Sequence, residues 1–474
     1  MTATPTSPKT TPAPRVVVIG GGLAGMAAAV AIESAGLPVT LLEARATLGG
    51  RAGSFTDHQT GQPLDSSQHL LLGCCTNLIS FYRRIGAAHL IRWERTIHFR
   101  DSAGQHDLWA MPGLPAPFHL APSMAFFAAL SIRQRLSLFR AMLSILRLPP
   151  EALPSLADIT FGQWLDEHAQ SSPLIDRFYT PLLISALNEQ PRRANAAYAI
   201  RVFQTAMLSH ASGYHLGLPA CPLSDLYRNL PCRDIRLSTR ARGLRFSGQT
   251  ITGVELQNGQ LLTADAFVFA INHHTLRKWV PPELAARDER LAHLDNLESV
   301  PILGAHLWFD RAIMAESHAA LLDGPLQWVF RKDREGRALL GVISAARQWT
   351  DRPRVRCLAA FEDQIRRLFP AAGNASLQRG LIIVEKRATF SPLPGVDRYR
   401  PQQSPPPAGI ENLFLAGDYT HTHWPATMEG AVRSGYLAAD AVVARVHAAT
   451  APHRTFLVND LPLQWPARLL AARP

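Results

Sequence analysis

Lysine is scarce: only Lys9, Lys278, Lys332 and Lys386 occur in 474 residues, so a net charge of +11 is carried almost entirely by arginine. A basic balance of this kind admits nucleic acid or an anionic membrane surface as partner. No stripe of basic residues interleaved with aromatics and no nucleic-acid-binding motif is present, so a nucleic-acid partner is not expected and peripheral contact with an anionic membrane is. Cysteine is sparse as well. Cys74, Cys75, Cys221, Cys232 and Cys357 are odd in number and lack metal-ligand spacing, which argues against a disulfide framework and a zinc site and for reduced thiols in a cytosolic setting. The first 14 residues are rich in Thr and Pro and lack the apolar segment of a signal peptide, so they read as a disordered lead-in.

What remains is a chain 47% hydrophobic, long enough for two or three domains. Residues 16–19, VVVI, form the short β-branched run of a buried parallel strand, and GGGLAG follows at once. Gly20, Gly22 and Gly25 satisfy G-x-G-x-x-G, with Leu23 and Ala24 inside the motif, and MAAAVAIESAG reads as an Ala-rich helix stopped by Gly36. Here the glycines allow a tight turn, backbone approach to a pyrophosphate and close helix-to-strand packing. A second strand, PVTLLEA, ends at Glu43, where an acid is expected to meet a ribose hydroxyl. Ala44 and Arg45 follow it at the same edge. The motif predicts a dinucleotide without separating NAD from FAD.

Further along, LFLAGDYTHTHWPATMEGAVRSGYLAADAV gives a short strand, Gly417 and Asp418, a polar loop and a helix beginning near Thr427. A helix start offers free backbone N–H groups to developing negative charge. Residues 235–270 read as two alternating strands around NGQ and a buried strand ending at Ala270. Segments 75–204 and 281–404 carry no glycine motif and are expected to form a separate substrate domain, leaving 15–74, 205–280 and 405–447 for the nucleotide and 448–474 as a C-terminal tail. Residues 119–148 are apolar but broken by Arg133, Arg135, Arg140 and Arg147, so they make a poor transmembrane span. The seven-residue recurrence of Arg133, Arg140 and Arg147 predicts one arginine face opposite Leu136 and Leu143, the pattern of an interfacial helix.

Glu43 followed by Gly49, Gly50 and Arg51 resembles the flavoprotein signature of amine oxidases and carotenoid desaturases. Over residues 15–447, and on DSSQHLLLGCCTNLISFYRRIG, FGQWLDEH, ISALNEQPRRANAAYA, EKRATFSPLPG and LAGDYTHTHWPATMEGAVRSG, the chain is similar to the hydroxysqualene dehydroxylases of the flavin amine oxidase and phytoene desaturase superfamily. The resemblance implies an α/β fold, with a Rossmann-type FAD-binding domain assembled from discontinuous segments and a mixed α+β substrate domain. It implies FAD as cofactor, with Arg51 by the phosphates, Asp418 at the ribityl chain, the backbone around Met428 at the flavin's carbonyl edge, and Ala241, where relatives commonly carry Val, at the adenine. Relatives often have Asn-Gly where this chain has Ser66 and Ser67.

The activity so implied is reduction of 12-hydroxysqualene to squalene by hydride from reduced flavin with loss of water, in a bacterial cytoplasmic enzyme resting on the inner face of the membrane. Gln68 and His69 would lie at the cofactor's edge, with His69 the candidate general acid, since imidazole gives up a proton readily near neutral pH. Asp65, Glu429, Arg387, His421 and His423 are further polar candidates, and no metal is expected. The competing readings are a carotenoid desaturase of the same fold, an amine oxidase, and a non-catalytic prenyl-binding module. Intact Gly20, Gly22, Gly25, Glu43, Arg51 and Asp418 argue against the last.

Overall fold

A computed structural model describes residues 14–446 and 455–471. The lead-in expected at the amino terminus and part of the C-terminal tail lie outside the described residues. Strand β1 (Val16–Ile19) is buried on both faces, which is what its unbroken β-branched run requires. It leads through the glycine turn into α1 (Leu23–Ser34) and β2 (Val39–Leu42). The later elements that matter here are α2 (Thr76–Arg84), α3 (Ile132–Arg147), β3 (Asp234–Arg236), β4 (Ala266–Phe269), β5 (Ser299–Phe309), β6 (Leu377–Phe390), β7 (Leu413–Leu415), α4 (Met428–Val446) and α5 (Trp465–Leu470).

One half is a five-stranded sheet in the order β3-β2-β1-β4-β7. Every pairing in it is parallel, with Val18 beside both Leu41 and Val268, and Val268 beside Phe414. Its strands come from both ends and the middle of the chain, so the parallel sheet itself brings the amino- and carboxy-terminal glycine turns to one edge. Helix α4 packs on α1 so tightly that a Cβ on Gly435 would stand 2.2 Å from the Ala24 carbonyl oxygen. A three-stranded antiparallel hairpin unit (Ala241–Ser247, Thr250–Leu256, Leu261–Leu262) is appended beside this sheet.

The second half is built on a seven-stranded sheet that runs from β6 through β5, Ala338–Ile343, Trp328–Arg331, His318–Leu321 and Thr96–Asp101 to Gly104–Trp109. The helix Arg354–Leu368 covers part of it with Phe361, Ile365 and Leu368. Helical segments from residues 132 to 208 flank the sheet, so this half is mixed α and β.

The arginine-broken apolar stretch does not form one helix over 119–148. Short turns cover Phe118–Ala125, and α3 begins only at Ile132, where Ser131 and Gln134 make a reciprocal capping box that starts a new helix. Leu136 and Leu143 also differ from expectation. The buried face of α3 is Leu138, Ala141 and Ile145, and Leu136 points away from it, beside the arginines rather than opposite them. A spacing of seven residues aligns Arg133 with Arg140, but three residues from Arg133 to Leu136 is less than one turn, which makes them neighbours. Among the described residues no helix is long and apolar enough to cross a membrane.

Candidate active site

The crevice begins where β1 ends. Gly20 has φ +110° and its Cβ would stand 2.7 Å from the Ala270 carbonyl oxygen, while a Cβ on Gly25 would stand 1.9 Å from the Gly20 carbonyl oxygen, so strand and helix meet at a distance only glycine allows. Gly22 is different. A Cβ there would meet only the Gly50 Cα, 4.0 Å away, so the two glycine turns face each other across an open cradle. The Gly49 N–H donates to the Gly21 carbonyl at 2.8 Å and locks the turns in register. Helix α1 carries no side-chain cap, so the amides of Leu23, Ala24 and Gly25 at its start are presented to whatever fills the cradle.

Glu43 closes the far end of the cradle. Its Oε2 accepts the Gly21 N–H at 2.7 Å and its Oε1 the Arg45 N–H at 2.8 Å. Ala44 and Arg45 are exposed, and the Arg45 guanidinium reaches back to the Gly50 carbonyl at 3.0 Å. The Ser238 and Thr239 amides donate to the Arg45 and Glu43 carbonyls at 2.9 and 2.8 Å, which sets half-buried Ala241 two residues beyond that junction. The expected adenine and ribose contacts are thereby gathered at one end.

The carboxy-terminal turn meets the amino-terminal one at Arg51. Its guanidinium grips the Asp418 carboxylate with two bonds, Nη1 to Oδ2 at 3.0 Å and Nη2 to Oδ1 at 2.5 Å, across 367 residues of sequence. Burial opposes the charge on Arg51, but Asp418 outweighs it and holds the guanidinium above its ordinary pKa. The side chain of Arg51 remains 43% exposed against 9% for Asp418, so the pair forms a wall of the crevice and is not packed out of reach. Gly417 donates its N–H to Ser434 Oγ of α4 at 2.8 Å, and Thr427 Oγ1 accepts the Gly430 N–H at 3.0 Å, capping the helix just before Met428.

Sequence reasoning missed what holds this loop. Arg400 is buried and donates to the carbonyls of Asp418 (3.2 Å) and Thr420 (2.5 Å) while pairing with Asp397 at 3.2 Å. The local sequence VDRYRPQQ shows at most the short-range pair with Asp397 and carries no signal for the carbonyls of residues 418 and 420. His273 was also missed. It lies against Tyr419, ring centroids 5.3 Å apart, and its buried Nε2 and the Tyr419 hydroxyl find no partner among the described residues. Orphaned polar atoms beside Asp418 fit a site whose ligand supplies further hydrogen bonds.

The DSSQH segment returns onto the same turn. The Ser66 hydroxyl donates to the Arg51 carbonyl at 3.2 Å, and the segment lies against β5, where a Cβ on Gly304 would stand 2.8 Å from the Ser66 carbonyl oxygen. Lys332, also missed, ties the segment together: its Nζ donates to Asp65 Oδ2 and to Gln68 Oε1, both at 3.1 Å. Buried Asp65 further accepts the Ser54 hydroxyl (2.8 Å) and the Leu223 amide (2.9 Å). His69 Nδ1 lies 3.2 Å from the Ser67 carbonyl, which can only accept, so Nδ1 carries the proton and Nε2 is left as an acceptor. Burial, aided by the charges of Arg51 and Lys332, lowers the His69 pKa and favours the neutral ring.

The other polar candidates have different surroundings. Glu429 is fully buried and accepts the Leu78 N–H (2.7 Å), the Asn77 N–H (3.1 Å) and Arg433 Nε (2.7 Å), so it binds α2 to α4. Arg387 is an exposed residue of β6. His421 and His423 stack edge to face with centroids 4.4 Å apart, and among the described residues no group of three metal-ligating side chains forms. All five cysteines are free.

Comparison with known proteins accords with this geometry. The family described as flavin containing amine oxidoreductase matches residues 23–443. The chain is 29% identical over 442 residues to a hydroxysqualene dehydroxylase of Rhodopseudomonas palustris, covering 90% of this chain and 98% of that one. To a 15-cis-phytoene desaturase of Synechococcus elongatus it is 25% identical over 463 residues, covering 91% and 96%. Putrescine oxidase superposes with a TM-score of 0.66 at 16% identity, covering 91% of this chain and 99% of that one.

Proposed function

Because the chain belongs to the flavin containing amine oxidoreductase family and is an FAD-dependent oxidoreductase, we propose that it reduces 12-hydroxysqualene to squalene. Relatives named hydroxysqualene dehydroxylase and phytoene desaturase both cover about nine-tenths of it, so a lipophilic isoprenoid is the substrate class and the direction of the redox step is the question. The observation that carries the reading is Lys332 at 3.1 Å from Gln68. Loss of hydroxide requires a proton, whereas hydride removal from a polyene does not, and a cation beside the DSSQH segment supplies that need.

In this reading Gly20, Gly22, Leu23, Ala24 and Gly25 hold the pyrophosphate, Glu43 with Ala44 and Arg45 the ribose, and Ala241 the adenine. Gly50, Arg51, Gly417 and Asp418 hold the ribityl and phosphate groups, and the amides at Met428 the flavin ring. When bound and reduced, FAD supplies a hydride. The chain does the rest. His69 Nε2 accepts the substrate hydroxyl's hydrogen bond and orients it, Gln68 is itself oriented by Lys332, and Lys332 delivers the proton as the allylic C–O bond breaks. The hydroxyl leaves as water and the hydride takes its place on carbon. This assigns His69 an orienting part instead of the general acid, because a neutral ring whose Nδ1 proton is committed to Ser67 has none to give.

The deciding experiment incubates the dithionite-reduced holoenzyme anaerobically with 12-hydroxysqualene and follows squalene by mass spectrometry. Squalene formation supports the reading. Unchanged hydroxysqualene, with phytoene desaturated by the oxidised form, would establish the carotenoid desaturase instead.

A further inference from the structure

Strand β4 ends at Phe269 in the middle of the parallel sheet, between the glycine turn that follows β1 and the Asp418 loop that follows β7. The Ala270 N–H donates to the Ile19 carbonyl at 2.8 Å and the Ala416 N–H to the Phe269 carbonyl at 2.9 Å, so the three strand tips stay in line. A ligand of such a sheet lies across those tips. Past the tip of β4 the chain turns at Asn272, whose side chain accepts the Thr275 N–H at 3.0 Å and starts the short helix His273–Trp279. His273, its first residue, meets Tyr419 of the β7 loop with ring centroids 5.3 Å apart. Gly417 permits this, at φ +146°, because a Cβ there would stand 2.5 Å from the Tyr419 ring that folds back over it.

Both side chains are nearly sealed from solvent, His273 at 6% exposure and Tyr419 at 3%, yet His273 Nε2 and the Tyr419 hydroxyl have no hydrogen-bond partner among the described residues, and they do not bond to each other. Two bare polar atoms at one buried place call for a third group between them. Arg51 and Asp418 are near enough for their charges to act on both rings. Burial, aided by His274, holds the His273 imidazole down to about 4, and burial raises the Tyr419 phenol, so at neutral pH both are uncharged. Two neutral groups suit an alcohol, which both donates and accepts, whereas the amides of the glycine turns and Arg51 suit phosphate. We propose that His273 Nε2 and the Tyr419 hydroxyl together bind one hydroxyl group of the ribityl chain of FAD, beside Asp418. The inference rests on the placing of that chain at Asp418 and not on the squalene-forming reaction.

The test titrates the full-length protein, stripped of flavin, with FAD and with FAD analogues that lack a single ribityl hydroxyl, following flavin fluorescence. His273→Phe and Tyr419→Phe should each weaken FAD binding by about three- to tenfold. One analogue should bind the parent protein more weakly by a similar factor and lose nothing further in either variant, the non-additivity of groups that share one hydrogen bond. Tyr419→Phe removes only an oxygen atom, so it carries the test even where His273→Phe impairs folding, and its unfolding midpoint without flavin at pH 7 should match the parent's. Unchanged FAD affinity in Y419F, or losses that simply add for every analogue, would overturn the proposal in favour of a water bridging the two rings or a phosphate contact. Shared losses without squalene formation would defeat the functional reading and leave the ribityl contact standing. Squalene formation with additive losses would do the reverse.

Discussion

At the crevice and in the core the arginines are held by acids or carbonyls: Arg51 by Asp418, Arg400 by Asp397 and the Thr420 carbonyl, and Arg290 by Asp288, and elsewhere Arg379 is held by Asp57. On α3 the arginines at 133, 140 and 147 make no ion pair among the described residues and project from the surface. One residue type thus serves two ends. Where a carboxylate or a row of carbonyls faces it, the planar guanidinium fixes a loop with directed bonds; where no acid among the described residues faces it, a basic stripe remains on the surface. A cation's function is read from what it meets, and sequence spacing alone does not show that.

The contrast can be broken first at the crevice. Gly25→Val sets a Cβ where the Gly20 carbonyl oxygen stands only 1.9 Å away, so β1 and α1 must part. Flavin binding should be abolished and stability should fall by about 3 kcal/mol or more, measured by flavin absorbance and thermal unfolding. Lys332→Met should retain flavin but lower kcat by ~100- to 10,000-fold if Lys332 is the proton source. Lys332→Arg, which keeps the cation but does not give up its proton, should leave the rate low; a K332M enzyme turning over at the parental rate would remove Lys332 from the mechanism.

Acid sharpens the comparison between the halves. His119, His273 and His318 are each pushed down to about 4, in each case chiefly by burial, from an ordinary 6.5. Their folded values lie below the unfolded one, so the unfolded chain binds more protons between pH 6.5 and 4, and stability is full above that window and lost as pH falls through it. Each site contributes a loss on the order of 3 kcal/mol at the acid end. His119 and His318 lie outside the crevice and His273 packs against Tyr419 within it, so His119→Phe and His273→Phe should each flatten the decline of the unfolding midpoint with pH, and by similar amounts. The smallest effect belongs to the outward face: Arg140→Gln should alter stability by less than about 0.5 kcal/mol in the absence of lipid, because its side chain makes no ion pair or hydrogen bond among the described residues.

The nucleotide edge was legible because its constraints are local. A turn that must pass under a helix start needs glycine at positions 20 and 25, and an acid at the tip of the next strand is the residue type a ribose hydroxyl would call for, so spacing alone pointed to Gly20, Gly25 and Glu43. Asp418 was legible through its resemblance, and the parallel sheet then explains how it reaches Arg51. Lys332, Arg400 and His273 were not legible. Each acts through a partner in another element, and nothing in the residues beside it marks that partner. The apolar run at 119–148 was recognised as unusual, but its division at Ser131 and the outward turn of Leu136 depend on a capping box and on which side of the helix the core covers.

The sequence by itself therefore determined the glycine turns, the parallel strands and the excess of arginine, because backbone sterics, strand periodicity and net charge are properties of short stretches. Only the tertiary structure decided that Lys332 meets Gln68, that Arg400 braces the Asp418 loop and that α5 lies against α3. Those contacts join segments far apart in the chain, and the packing of whole elements chooses which side chains face each other.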